Sequence, residues 1–119
     1  MQTSLIKFPK STKRKKRHHH AESILQKKDG RCWLCMRLHG DHGQKYLHKH
    51  HVYFGSGLRE ISEANGFTVY LCPEHHTDGP EAVHRNAQIS REVQRAMQRK
   101  YEETHSRQDF MDLVGRNYM

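Results

Sequence analysis

Aromatic and β-branched residues are concentrated in two short segments in the middle of the chain. Residues 46–54 and residues 67–71 both predict β-strands. Gly55-Ser56-Gly57 ends the first segment, and Asn65-Gly66 precedes the second. Residues 58–64 between them predict a short helix or an irregular loop. The pattern therefore predicts a small β-hairpin.

In the last third of the chain the apolar spacing becomes helical. A stripe at three- and four-residue intervals is typical of the buried face of an amphipathic helix. We expect this helix to begin at Glu81 or Ala87 and to end near Glu103. Its stripe consists of Ile89, Val93, Ala96, Met97 and Tyr101.

Two shorter helical segments are also indicated. Residues 21–28 predict one or two helical turns, which the Asp29-Gly30 turn would end. Near the C-terminus, Ser106 and Asp109 resemble an N-cap and its acidic partner three residues later. They predict a last short helix that ends at Gly115.

The composition limits the size of the hydrophobic core. The chain has 119 residues, of which 34% are hydrophobic and 29% are charged. One small domain with a thin core is expected, and such domains often need a metal ion or disulfides for stability. We divide the chain into a basic arm at 1–20, a finger domain at 21–86 and a helical extension at 87–119 that packs on it.

The net charge of +8 comes almost entirely from the arm. Residues 1–20 contain seven basic and no acidic residues, whereas the rest of the chain contains 14 basic and 13 acidic residues. Such a run is expected to be disordered alone and to bind nucleic acid through phosphate contacts. A solubilising tail is the alternative. The candidate contact residues are Lys13, Arg14, Lys15, Lys16 and Arg17.

The three cysteines indicate a metal site. Residues 1–20 lack the apolar run of a secretory signal, and no segment is long and apolar enough to cross a membrane. We therefore expect a cytoplasmic protein without membrane contact. Its thiols should be reduced and available as metal ligands.

Two ligand pairs with equal spacing predict a closed zinc site. Cys32 and Cys35 form the first pair, and Cys72 and His75 form the second. The adjacent His76 is an alternative fourth ligand, but the equal spacing favours His75. A redox role for the first pair is the runner-up interpretation.

Two further motifs accompany the ligand pairs within about residues 30–86: His50-His51-Val52-Tyr53-Phe54 and Leu71-Cys72-Pro73-Glu74-His75-His76. Their order resembles the HNH endonucleases, which belong to the His-Me finger or ββα-metal nucleases. In particular the chain resembles the small zinc-bearing HNH proteins of phages and prophages, which implies a bacterial or phage-encoded protein. The resemblance implies an α+β fold, namely a small zinc-stapled, treble-clef-like ββα-metal finger with a β-hairpin and C-terminal helices.

The resemblance also implies catalytic roles. His51 would be the general base, while His50 and His76 would hold a catalytic Mg²⁺ or another divalent metal. The chain departs from the family pattern where a Thr77–Pro80 insert follows the second pair. His84 or Asn86 would then supply the last metal ligand, or His76 would act alone with Asp78 nearby.

Two further features complicate this assignment. The middle Asn of the family motif has only Asn65 as a counterpart, two or three residues early. In addition, adjacent residues of a regular strand face opposite sides. His50 and His51 would therefore converge on one phosphate only if the strand ends, twists or bulges there. Otherwise His48 and His50 would share a polar face.

Three functions follow from these observations. The first is a metal-dependent DNA endonuclease or nickase that uses a histidine general base. The second is a non-catalytic zinc finger that binds nucleic acid, as an accessory in recombination or packaging. The third is a protein-interaction adaptor in which zinc only stabilises the scaffold. The sequence leaves the oligomeric state open.

Overall fold

A two-stranded antiparallel sheet lies at the centre of the computed structural model, which describes residues 20–119. Strand β1 (His48–His51) pairs with strand β2 (Thr68–Leu71), so that His48 lies opposite Leu71 and His51 lies opposite Thr68. The sheet confirms the predicted hairpin, although β1 is shorter than the predicted 46–54 segment.

The first strand ends early because its chain turns into the core. The backbone N–H of Tyr53 donates to the side-chain oxygen of Ser62, 3.1 Å away, rather than to the partner strand. The Ser62 hydroxyl in turn donates to the Tyr53 carbonyl. Ser62, in the helix of the connection, thus forms the hydrogen bonds that the Tyr53 backbone would have made to the partner strand in a longer sheet.

Helices surround the sheet and complete a small α+β fold. The predicted short helix in the hairpin connection is present, and the stripe helix begins at Ala87 rather than Glu81. The helical elements are α1 (Trp33–His39), α2 (Leu58–Asn65), a π-helical turn (Glu74–Asp78), α3 (Ala87–Tyr101) and α4 (Arg107–Val114).

The predicted helical turns at 21–28 are absent. The backbone N–H groups of Ala21 and Ile24 donate to the carbonyls of Glu63 and Gly66, and the Ser23 hydroxyl donates to the Thr68 carbonyl, so the hydrogen bonds of this segment run to the hairpin. The segment lies against the hairpin instead. At Gly66, where φ is +75°, a Cβ would collide with the carbonyl oxygen of Glu22.

Side-chain caps begin both C-terminal helices, and the predicted cap of the last one is confirmed. The Ser106 hydroxyl accepts from the Asp109 N–H at 3.0 Å, and the Asp109 carboxylate accepts from the Ser106 N–H, so the capping box is complete. Asn86 caps α3 by accepting from the N–H groups of Gln88 and Ile89. These caps satisfy backbone donors that the helices leave free.

One apolar cluster joins the finger to the C-terminal helices. Phe110 of α4 is fully buried, and its ring centroid lies 5.4 Å from that of Tyr53 and 6.1 Å from that of Phe67. The α3 stripe is buried as predicted, apart from the partly buried Ile89. The helices therefore share a core with the hairpin.

Among residues 20–119, no helix is both long enough and apolar enough to span a bilayer.

Candidate metal centres

The four predicted zinc ligands meet in the interior. Cys32 caps the N-terminus of α1, and Cys35 lies in its first turn. Cys72 directly follows β2, and His75 lies in the π-helical turn. All four side chains are buried, and their ligand atoms lie within 4.8 Å of one another.

The distances in this cluster suit a tetrahedral ion. Zinc bonds of about 2.3 Å to sulfur and about 2.0–2.1 Å to nitrogen give tetrahedral edges of about 3.8 Å between sulfurs and about 3.5 Å between sulfur and nitrogen. The Cys35 and Cys72 sulfurs are 3.7 Å apart. His75 Nδ1 lies 3.3 Å from the Cys35 sulfur and 3.5 Å from the Cys72 sulfur. The cluster is therefore compatible with a structural zinc, and His75 is its fourth member.

Electrostatics also favour a cation here. Burial raises the pKa of the Cys35 thiol, and the neighbouring Cys32 and Cys72 side chains raise it further. Three crowded sulfurs disfavour the thiolate form until a cation stabilises it.

A carboxylate behind the cluster orients the histidine ligand. Glu81 Oε1 lies 3.2 Å from His75 Nε2 and 2.8 Å from His39 Nε2. Hydrogen bonds from His39 and then His75 lower the pKa of Glu81. A proton on His75 Nε2 leaves Nδ1 as the free ligand atom, which is the usual outer-sphere arrangement of a metal-binding histidine.

A second group of side chains forms beside the first. His50 on β1, His76 in the π-helical turn and His84 before α3 offer ligand nitrogens within 4.8 Å of one another. Ring centroids are 5.3 Å apart for His50 and His76, and 4.8 Å apart for His76 and His84. His50 is 3% exposed, whereas His84 is exposed, so this histidine cluster opens to solvent on one side.

The path of the insert explains how His84 reaches the cluster. After the π-helical turn the chain loops out and returns, and the His84 N–H donates to the His76 carbonyl at 3.2 Å. One residue earlier, the Val83 N–H donates to the His75 carbonyl at 2.8 Å. Asn86, the alternative ligand, is used as the α3 cap. Asp78 lies outside the group of candidate ligands.

The cluster favours neutral imidazoles. Burial, with the charges of His84 and His76, lowers the pKa of His50 to about 3. Burial likewise lowers the pKa of His76, and His84 and His48 add to the effect. Neutral imidazole is the form that binds metal.

His48 extends the histidine cluster. Its Nδ1 lies 2.9 Å from His76 Nδ1, and it shares a strand face with His50, two residues further along β1. With the proton of this hydrogen bond on His76 Nδ1, His76 Nε2 is the free ligand atom. Strand alternation is the signal that placed His48 on this face.

His51 lies apart from the cluster. Its Nε2 lies 2.7 Å from Glu63 Oε1 of α2, and the same carboxylate binds Lys49 Nζ at 2.8 Å and His20 Nδ1 at 2.8 Å. The Lys49 hydrogen bond is the largest cause that lowers the pKa of Glu63 to about 2, and His20 and His51 contribute. Adjacent His50 and His51 thus use opposite faces of β1, and β1 ends at His51.

One site residue was not predicted from the sequence, and one predicted group of residues is not covered by the structure. Glu63 is a site residue that the sequence patterns missed, because nothing local to α2 indicates a partner on β1. The arm residues from Lys13 to Arg17 lie outside the described residues.

The whole chain was also compared with known proteins. No protein-family model, curated protein or solved structure matches it.

Proposed function

We propose that this chain is a metal-dependent DNA endonuclease or nickase built on an HNH-type, treble-clef-like ββα-metal finger. The observation that supports this most is the open cluster of His50, His76 and His84, with ligand nitrogens within 4.8 Å of one another. Catalytic metal sites combine three protein ligands with an open position, whereas structural zinc sites are closed. Among residues 20–119, the buried Cys₃His cluster and this open histidine cluster are linked through adjacent residues, since His75 belongs to one and His76 to the other.

The donor set determines which ion fits the histidine cluster. All three candidate ligands are imidazoles, which suit zinc, iron, nickel or copper, whereas Mg²⁺ prefers oxygen ligands and ordered water. These residues therefore fit a first-row transition ion and do not fit Mg²⁺. Such an ion would stabilise negative charge that develops on a phosphate.

His51 is the proposed general base. Because its Nε2 is hydrogen-bonded to Glu63, its Nδ1 is left to take a proton from water. Glu63 holds the ring and stabilises its protonated form. A phosphate at the end of β1 would touch both strand faces, with His50 on one side and His51 on the other.

A non-catalytic zinc finger that binds nucleic acid is the second candidate function. One observation favours it: the His51 side chain pairs with Glu63 on the face opposite the histidine cluster. In this case the Cys₃His cluster and the arm would suffice for function. Salt-sensitive DNA binding without cleavage would distinguish it from the nuclease.

A plasmid assay tests the nuclease directly. Purified full chain is incubated with supercoiled plasmid and Zn²⁺, Co²⁺, Ni²⁺, Mn²⁺ or Mg²⁺ in separate reactions. We expect nicking with a transition ion, a loss of about 10²–10⁴-fold in His51→Ala, and a comparable loss in His84→Ala. His42→Ala, at an exposed histidine outside both clusters, should retain full activity. Equal activity of wild type and His51→Ala with every ion would exclude the proposed mechanism.

A further inference from the structure

Two exposed aromatic side chains flank the histidine cluster. Among residues 20–119, four large apolar side chains are exposed, and the two aromatic ones are Tyr46 and Phe54. Tyr46 is 76% exposed and Phe54 is 46% exposed. The other two, Met111 and Met119, lie in α4 and at the C-terminus.

Both aromatic rings contact the candidate ligands or their neighbour. The Tyr46 ring centroid lies 5.4 Å from that of His48, which bonds to His76. The Phe54 centroid lies 5.9 Å from that of His50 and 5.6 Å from that of His84. Tyr46 precedes β1 and Phe54 follows it, so the rings lie at opposite ends of the strand that carries His50.

We propose that Tyr46 and Phe54 stack on unpaired bases on the two sides of a bound phosphate, which makes single-stranded or locally unpaired DNA the substrate of this site. The inference rests on the proposed nuclease function and extends it to a class of substrate. Single exposed apolar residues are ordinary on a protein surface. Two exposed aromatic rings in contact with the same polar cluster form a composite surface, with flat apolar ends and a phosphate-binding centre.

Nucleic-acid chemistry explains why the strand must be unpaired. Each base has a flat face, and aromatic side chains bind that face without regard to sequence. In a duplex both faces are covered by neighbouring base pairs, and exposing one requires unstacking that costs a few kcal/mol. A strand that is already unpaired avoids this cost. The two rings can therefore bind unpaired DNA, whereas a duplex offers them only groove edges.

The charges around the cluster are consistent with a phosphate between the rings. A divalent ion held by the three imidazoles would give the centre a net positive charge. The nearby carboxylate of Glu63 is already bound by Lys49, His51 and His20. The rings would stack on the bases, while the metal centre would bind the phosphate backbone of the DNA.

Fluorescence anisotropy with labelled oligonucleotides tests the inference without requiring cleavage. A 20-nucleotide single strand and the blunt duplex of the same sequence are titrated with full chain, with zinc present. We expect at least tenfold tighter binding of the single strand. Tyr46→Ala and Phe54→Ala should each weaken single-strand binding by roughly 5- to 100-fold, as loss of one stacked base does. Duplex binding should change less than twofold.

Matched variants separate stacking from general damage. Tyr46→Phe keeps the ring and should bind like wild type, whereas Met111→Ala removes an exposed apolar side chain elsewhere and should also bind like wild type. Zinc content and melting temperature should match wild type in all four variants. These controls assign any loss of affinity to the aromatic rings.

Two results would overturn the inference: equal affinity for single strand and duplex, or a single-strand preference that survives in both alanine variants. Cleavage assays report on the proposed function separately. Ring-dependent single-strand binding without cleavage would retain the stacking of the rings on unpaired bases and reject the nuclease, so that this DNA would be a ligand rather than a substrate. Duplex cleavage that neither ring variant affects would retain the nuclease and reject the single-strand inference.

Discussion

Glu63 and His51 are joined across two elements, with Glu63 Oε1 of α2 2.7 Å from His51 Nε2 at the end of β1. The bond fixes the imidazole ring and assigns its two nitrogens different roles. It also connects the helix inside the hairpin to the strand beside the histidine cluster. Glu63 is thus a positioning residue for the proposed general base.

Replacing this carboxylate should slow cleavage without removing metal. Glu63→Gln retains the shape of the side chain but cannot stabilise a protonated His51. We expect nicking to slow by more than tenfold, yet by less than the about 10²–10⁴-fold expected for removal of the base itself. Single-turnover nicking rates measure the effect. Glu60→Gln, at an exposed carboxylate on the same helix, is the control, and an equal loss in both variants would contradict the assignment.

The same carboxylate should make stability depend on pH. Because Lys49, His20 and His51 hold the pKa of Glu63 at about 2, against an ordinary value of 4.5, the folded protein favours the ionised form. The contribution of Glu63 is fully present above pH 4.5 and is lost as the pH falls toward 2. The melting temperature of wild type should exceed that of Glu63→Gln by a constant amount above pH 4.5. This difference should shrink below pH 4.5, and a difference that grows there would refute the sign.

The Cys₃His cluster should bind its ion without the histidine cluster, whereas the histidine cluster should need the Cys₃His cluster for a folded chain. Structural zinc contributes about 10–16 kcal/mol in zinc-finger peptides, which equals or exceeds the about 5–15 kcal/mol stability of a typical domain. Cys72→Ser should therefore unfold the chain. His84→Ala should remain folded and keep one zinc, while wild type in excess transition metal should hold two ions. Elemental analysis and circular dichroism together measure this, and one ion in folded wild type under every condition would contradict a second site.

The C-terminal helices should be inseparable from the finger. Phe110 lies among the rings of Tyr53, Phe67 and Tyr101, so Phe110→Ala should destabilise the chain by about 3–5 kcal/mol. The exposed neighbour Met111 provides the control, because Met111→Ala should change stability by less than about 0.5 kcal/mol. Urea unfolding with zinc present measures both. A Phe110→Ala variant as stable as Met111→Ala would mean that α4 is only an appendage.

Local signals in the sequence predicted much of the fold and the first metal cluster. The equal spacing of the two ligand pairs is sufficient to predict the Cys₃His cluster, since two residues between ligands let both reach one ion. The capping box of Ser106 and Asp109 is equally local. The segment at 21–28 was predicted wrongly because its backbone N–H groups donate to Glu63 and Gly66, about 40 residues further along the chain, and no local pattern indicates these partners.

The sequence patterns could not predict which distant residues the fold would bring together. Glu63 reaches His51 only because α2 folds back beside β1, and no spacing rule relates positions 51 and 63. The sequence drew attention to the pair of His50 and His51, but the direction of each ring depends on where β1 ends. His84 joins the cluster because the insert loops out and returns to His76.

In the π-helical turn Glu74–Asp78, two consecutive histidines belong to different clusters. His75 lies beside the cysteine sulfurs, and His76 lies beside the other imidazoles. The backbone N–H groups of His75 and His76 both donate to the Cys72 carbonyl, at 3.0 Å and 2.9 Å. A deletion or insertion of one residue between Cys72 and His76 would consequently dismantle both centres at once. Loss of an ion from the Cys₃His cluster would likewise disturb the histidine cluster, because one short stretch of backbone positions a member of each.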